Sequence, residues 1–354
     1  MADEPSGVVP LPYARKDLEE AIGPDAEATV VEAYQWMVLA RALDARFLAL
    51  QRQGRVGFYG AATGQEAVST AAGLVTAPQD WILPGLREQL VALVRGHPLR
   101  TYVHHLFADS LDPSRGRNMP CHPSARDVRY VSMSSVIGTQ ISQAVGVAYG
   151  IRRHQEPAVA VAFFGDGATS SNDFHAGMNL AAVLSLPVLF ACVNNQWAIS
   201  LPVARQTASA TLAEKAKAYG LEGRRVDGTD FIACWSAFSS ALARLRDGGP
   251  PEMLEFLVYR LAAHSSSDDP SRYQPEGWVH EAKAHDPVAR LERWLLDQGL
   301  LDPRQRDGLW AEADEEVREA VRDAEETPAP APATITEDVL APPRSPDGAG
   351  EARR

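Results

Sequence analysis

Two short runs constrain this chain more than anything else in it. Ala158-Val-Ala-Val-Ala-Phe-Phe164 and Pro187-Val-Leu-Phe-Ala-Cys-Val193 are apolar at every position. A strand with one wet face alternates apolar and polar residues. An unbroken apolar run of this length reads as a strand buried on both faces. Residues 173–184, rich in small side chains, lie between the runs and are predicted to be helical. Strand, helix and strand form a crossover unit, whose two strands must be parallel. The expected class is therefore α/β, a parallel sheet flanked by helices. Residues 224–226 and 253–259 are candidate further strands, with a helix over 231–246 between them.

Around this centre the chain divides simply. Residues 1–25 carry several Pro and Gly and read as an extended arm. A long helix is expected over 25–53, because Tyr34, Met37, Val38, Ala42, Leu43, Phe47 and Leu50 recur at helical spacing. Gly54 is its stop signal. Residues 286–326 are helical and charged. The α/β domain with its C-terminal helices is thus expected over 26–326. Residues 327–354, a Pro/Ala-rich low-complexity tail, are expected to be disordered. There is no internal repeat.

Charge and cysteine content remove several classes of function. With 46 acidic against 34 basic residues, the net charge is −12. Such a chain repels a polyphosphate backbone, which argues against a nucleic-acid partner. Its three cysteines, Cys121, Cys192 and Cys234, have no close spacing. That suits a reducing cytoplasm better than a disulfide framework or a zinc site. No apolar run approaches the roughly 18 residues of a membrane span. The N-terminus is acidic and lacks the apolar stretch of a signal peptide.

The chemistry sits just past the two apolar runs. Gly165-Asp166-Gly167 follows the first, and Asn194-Asn195 follows the second. In open α/β sheets, ligands bind at the C-terminal ends of the strands. If the strands are neighbours, a carboxylate, an amide oxygen and a backbone carbonyl meet there. That is a hard, oxygen-only partial shell of the kind magnesium completes with phosphate oxygens and water. Gly167 lets the backbone approach a diphosphate closely, and the next helix N-terminus adds N–H donors. Alone, Gly-Asp-Gly is usually a turn and Asn-Asn a loop. Both at the ends of consecutive buried strands is a far more specific event. A metal-dependent phosphohydrolase is one alternative, although two metals would want more clustered carboxylates.

The segments Gly165-Asp-Gly-Ala-Thr-Ser-Ser-Asn-Asp-Phe-His-Ala-Gly-Met-Asn179 and Asn194-Asn-Gln-Trp-Ala-Ile-Ser200 resemble the alpha subunits of thiamine-diphosphate-dependent 2-oxo acid dehydrogenases. The likeness extends to Gln51-Arg-Gln-Gly-Arg-Val-Gly-Phe-Tyr59, Gly64-Gln-Glu-Ala67, Gly116-Arg-Asn-Met-Pro120, residues 134–146, Val226-Asp-Gly-Thr-Asp230 and His264-Ser-Ser-Ser-Asp-Asp269. It runs in order over roughly residues 25–325. The first and third of these favour the branched-chain type, with pyruvate and acetoin as other candidate substrates. The resemblance implies the thiamine-diphosphate-binding fold and a set of roles. Asp166 and Asn195, with the Trp197 carbonyl, correspond to magnesium ligands. Arg87, Ser135, Ile137, Gly167 and Ala168 correspond to cofactor contacts, as Asp166, Asn195 and His264 also do. Ser134, Thr139 and Gln140 correspond to a potassium site of branched-chain relatives. His264 corresponds to the active-site histidine, of a pKa class suited to proton transfer near neutrality.

The activity so implied is that of 3-methyl-2-oxobutanoate dehydrogenase (2-methylpropanoyl-transferring). A 2-oxo acid is decarboxylated on the cofactor and its acyl unit passes to the lipoyl group of a transacylase component. The family draws one essential Glu from a separate beta subunit, and this chain has no evident second half. An α2β2 heterotetramer is therefore expected, with its sites between the subunits. A non-catalytic scaffold subunit is the alternative from another class.

Some positions depart from the pattern. Leu86-Arg87-Glu88 replaces the usual Tyr-Arg-Glu, Val193 stands where branched-chain relatives often carry Arg, and Ser171-Asn172 replaces Glu-Gly. Other residues take plain readings. His104 and His105 are packing or surface residues, His122 approaches the site, His175 supports packing, and Gly146 and Gly150 allow close helix packing.

Overall fold

In the computed structural model, which describes residues 8–337 and Val339, five strands form one sheet. They are β1 (Trp81–Leu83), β2 (Ala160–Gly165), β3 (Val188–Asn194), β4 (Glu222–Asp227) and β5 (Glu252–Leu257). Their spatial order is β1-β2-β3-β5-β4, and every pairing is parallel. The two apolar runs thus become adjacent central strands, with Gly165 in register with Val193. The edge strand β4 is only partly buried and carries Glu222, Arg224, Arg225 and Asp227. Charges on an edge discourage pairing with another chain. The other edge, β1, was not expected from sequence; three residues are too few to show a period.

Helices cover both faces: α1 (Ala26–Arg52), α2 (Glu66–Val75), α3 (Leu99–Phe107), α4 (Thr139–His154), α5 (Asn172–Val183), α6 (Phe231–Arg246), α7 (Pro287–Asp297) and α8 (Pro303–Glu326). The two-residue period of the strands divides the core between them. Val161, Phe163, Leu189, Ala191, Leu254 and Phe256 pack with α1, α2 and α6. Ala160, Ala162, Phe164, Val188, Phe190 and Met253 pack with α4 and α5. Truncating such a residue, Phe163→Ala for example, should cost about 3–5 kcal/mol.

Caps set the helix starts. Asp230 accepts from the amides of Ile232 and Ala233 at α6. Asp286 and Asp302, each followed by Pro, cap α7 and α8. The charged helical stretch is therefore two helices, separated at Gly299, whose φ is +66°.

Several expectations need correction. The N-terminal arm is not extended throughout: Arg15–Asp17 is a 3-10 turn and Leu18–Ala21 a helical turn. Leu18, 1% exposed, provides the reason by burying itself in the core. The first described part of the tail is tied down. Pro328 accepts from the Ser110 amide, Thr334 from Arg117, and Glu337 pairs with Arg115. Residues 1–7, 338 and 340–354 lie outside the described residues. Among the described residues, Gly146 and Gly150 have no neighbour within 4 Å of an added Cβ, so no close helix packing is seen at either. Helix contacts that need a glycine are instead at Gly73, where a Cβ would meet Val94 Cβ at 2.6 Å, and at Gly177, where it would meet Ile141 Cγ2 at 2.9 Å. His175 is exposed and bonded to Tyr219 rather than buried. His104 and His105 are both buried, each with a carboxylate partner, Asp109 at 2.7 Å and Asp112 at 3.1 Å.

Candidate active site

A cavity of about 430 Å³ opens at the C-terminal ends of β2 and β3. Asp166 and Asn195 both line it, as do Arg87, Ser134, Ser135, Ile137, Gln140, Gly167, Ala168, Trp197 and His264. Of the residues expected from sequence, Thr139 alone stays off its wall. Thr139 is the first residue of α4, and Gly138 before it, at φ +88°, turns the chain into the helix.

Parallel register brings the two motifs together. Asp166 and Asn195 each follow a strand whose last residues are paired side by side. Asp166 is 2% exposed and accepts from Gln206 Nε2 at 2.7 Å. Burial pushes its carboxyl up, against that hydrogen bond. Asn194 faces inward: it donates to Glu255 at 2.7 Å and accepts from the Gln196 amide at 2.9 Å. Asn195 is left to face the cavity, its Oδ1 bonded by the Trp197 amide at 3.2 Å. The Trp197 carbonyl accepts from Arg260 at 3.3 Å, which leaves it a second lone pair. An added Cβ at Gly167 would stand 2.9 Å from the Ala198 Cβ, so only glycine fits there without movement. The helix N-terminus expected just after Gly167 is displaced. A 3-10 turn, Asp166–Ser170, intervenes, and Ser171 caps α5 by accepting from the Phe174 amide.

Three loops converge on the opposite wall. Arg87, 5% exposed, donates to the Ala61 carbonyl and, at 2.6 Å, to the His264 carbonyl. The Ala61 loop is tied to α1 through Asp44, which accepts from Tyr59 at 2.8 Å and Thr63 at 2.6 Å. Gly64 closes that loop at φ +98°, where a Cβ would lie 2.0 Å from the Tyr259 carbonyl. The His264 amide donates to Asp268 at 2.8 Å. Arg260 joins this loop to the Trp197 loop, donating to Tyr273 at 2.6 Å and to the Ile199 carbonyl at 2.8 Å.

The wall is cationic, and this sets its titration. Burial, then the charges of Arg87 and Arg260, bring His264 down to about 4. That differs from the near-neutral value expected of a free histidine, and it leaves the ring uncharged at pH 7. Arg87 itself, buried beside Arg260, falls to about 10 and stays charged. Glu88, 4% exposed, is pushed up to about 7 by burial.

Glu88 and Gln65 line the cavity without having been singled out from sequence, and His122, expected to approach the site, lines it too. Gln65 Nε2 and Gln140 Oε1 are buried and have no hydrogen-bond partner among the described residues. Glu88 adjoins Arg87, and Gln65 lies inside the quoted Gly64-Gln-Glu-Ala67 segment, so position in a motif was the only signal available. Among the described residues, no three His, Cys, Asp or Glu side chains gather to hold a metal. A two-metal phosphohydrolase would require such a cluster. Leu86 and Val193, two of the departures, both line the cavity with apolar side chains.

A sequence model described as the dehydrogenase E1 component matches residues 34–333. The chain belongs to that family. Relatives of the chain include 2-oxoisovalerate dehydrogenase subunit alpha 2, mitochondrial, of Arabidopsis thaliana, 39% identical over 86% of this chain and 65% of the relative. The 3-methyl-2-oxobutanoate dehydrogenase subunit alpha of Mycobacterium tuberculosis is 41% identical over 84% of this chain and 78% of its own. The 2-oxoisovalerate dehydrogenase subunit alpha of Bacillus subtilis is 37% identical over 90% and 96% respectively. The chain thus spans somewhat less than two thirds of its Arabidopsis relatives, 65% and 64%. No helix among the described residues is long and apolar enough to cross a membrane.

Proposed function

We propose that this E1 component is the alpha subunit of a branched-chain 2-oxo acid dehydrogenase. It would act on 3-methyl-2-oxobutanoate and pass the 2-methylpropanoyl unit to the lipoyl group of a transacylase. One observation carries the reading: Asp166 and Asn195 end adjacent parallel strands and share a cavity with Arg87 and His264. The names of the relatives in Mycobacterium tuberculosis and Bacillus subtilis support the substrate class.

The residues present fit thiamine diphosphate held through magnesium. Asp166, Asn195 and the Trp197 carbonyl supply a hard oxygen donor set, and Gly167 puts bare backbone on the cavity wall beside them. Arg87, Ser135, Ile137, Ala168 and His264 would complete the cofactor's contacts. The unpartnered Gln140 Oε1 suits a potassium ion shared with Ser134, which lines the cavity, and Thr139. When bound, the cofactor supplies the carbanion and the electron sink for decarboxylation. His264, neutral at pH 7, is poised to accept a proton. A substrate carboxylate would offset the Arg87 and Arg260 charges that hold its affinity for protons down.

Partner surfaces agree with a beta subunit in an α2β2 heterotetramer. Met119, Val136, Ile137 and Ile199 rim the cavity and are 52–66% exposed. A second apolar face is formed by Tyr149, Leu180 and Val183 beside Gly146 and Gly150. Bare apolar surface of this kind marks an interface. Three free buried cysteines suit a cytoplasmic location.

The test is reduction of an artificial acceptor by the chain co-purified with its beta partner, given magnesium, thiamine diphosphate and either 2-oxoisovalerate or pyruvate. We expect turnover, faster with 2-oxoisovalerate, that is abolished by Asn195→Ala. Faster turnover with pyruvate would overturn the substrate assignment. A folded complex that neither turns over nor binds the cofactor would leave the scaffold reading in its place.

A further inference from the structure

His122 stands on the cavity wall, 6% exposed, and has no part in the chemistry above. Its Nδ1 lies 2.9 Å from the Pro120 carbonyl, and its Nε2 lies 2.5 Å from Ser135 Oγ. A carbonyl only accepts, so Nδ1 carries the hydrogen. In the neutral ring Nε2 is then bare and must accept the hydroxyl hydrogen of Ser135.

The protein holds this ring from behind. The His122 amide donates to His105 Nε2 at 3.1 Å, and His105 Nδ1 lies 3.1 Å from Asp112. Asp112 is 2% exposed and also accepts from the Gly116 amide and the Ser114 hydroxyl, both at 2.7 Å. Asn118 Nδ2 donates to the His122 carbonyl at 3.3 Å. Each hydrogen in this chain of contacts has one consistent place, from a buried carboxylate to a hydroxyl on the cavity wall.

We propose that His122 is a positioning residue of the cofactor site. It holds the Ser135 hydrogen on its own Nε2, so that Ser135 offers a ligand acceptor lone pairs, which suit an N–H donor such as the amine of thiamine and not a diphosphate oxygen. By fixing that polarity it sets the affinity for thiamine diphosphate. The role in affinity rests on the cofactor reading above; the His122–Ser135 pair stands on the geometry alone.

Two substitutions separate positioning from simple packing. Gln at 122 can carry an oxygen to the region of Nε2 and still accept from Ser135. Asn can still donate to Pro120 from the region of Nδ1 but does not reach Ser135. Thiamine diphosphate with magnesium, titrated by tryptophan fluorescence of the chain co-purified with its beta partner, should bind His122→Asn about 10–100-fold more weakly than the parent. His122→Gln should stay within about threefold, and the two variants should melt alike. In a Ser135→Ala background, His122→Asn should add less than about twofold, because the partner is already gone. Tight binding by the Asn variant with weak binding by Gln, or additive losses with Ser135→Ala, would overturn the proposal. If the parent binds no thiamine diphosphate, the cofactor reading falls and the affinity role falls with it. The pair is then still tested by the ring nitrogen NMR shifts of the ligand-free chain: hydrogen on Nδ1 is expected, and hydrogen on Nε2 overturns the pair.

Discussion

The two ends of the sheet each carry a cavity, and the larger one is the less informative. At the N-terminal ends of the strands, a space of about 650 Å³ is lined by Ile151, Arg152, Val183, Pro187 and Arg246, among others. Its neighbour Asp80 is fully buried and fully used: it accepts from the Val159 and Ala77 amides and from Arg246 at 2.5 Å. None of the residues lining this space has a buried, unpartnered side-chain atom. At the C-terminal ends, the space of about 430 Å³ has Gln65 and Gln140 unpartnered, Glu88 pushed up and His264 pushed down. Volume records only where packing stopped. Unfinished hydrogen bonding and displaced titration record where a ligand is to complete the structure.

Swapping one carboxylate at each end tests this contrast most strongly. A metal ligand contributes several kcal/mol, so Asp166→Asn should lower kcat/KM about a thousandfold while the melting temperature holds or rises. Asp80→Asn should do the reverse. We expect a stability loss of about 2 kcal/mol in denaturant titrations, since a part-buried ion pair and two amides lose their acceptor charge, with cofactor affinity unchanged. Equal effects of the two substitutions on affinity would dissolve the distinction between the ends.

Smaller effects should appear in the pH dependence of stability. The folded value of His264, about 4, is below the ordinary 6.5. The unfolded chain then binds more protons across that window, so stability falls as pH drops from about 6.5 to about 4. In His264→Gln that acid-side loss should shrink, as read by melting temperature against pH. Glu88 has the opposite sign. Its folded value, about 7, is above that of a free carboxyl, so stability falls as pH rises toward 7. Glu88→Gln should therefore melt slightly higher than the parent at pH 8, and no higher at pH 4.

The sheet centre was legible because two features coincided there: apolar runs that need burial on both faces, and motif residues at their ends. Asp166 and Asn195 could be paired in advance since parallel register follows from the crossover unit. Leu18 and β1 were not legible. Their segments are too short to show a period, and their burial depends on elements far along the chain. His104 and His105 could not be assigned either, because their carboxylate partners Asp109 and Asp112 announce themselves only once a loop has folded back. Glu88 illustrates the remaining gap. Its residue type was visible, but the shift that makes it interesting comes from burial, which no local pattern encodes.

The all-parallel sheet also bears on how the chain reaches this state. Trp81 meets Ala160, Leu189 meets Glu252, and all four pairings are parallel, so none of them can be made by a hairpin. Each waits for a long loop to close, which makes folding slow and leaves strand edges open in the meantime. The segments most exposed to misassembly during that wait are the two apolar runs that later carry Asp166 and Asn195 at their ends. Yield of active protein should therefore depend on what shields those runs while the chain is young, more than on the final stability of the fold.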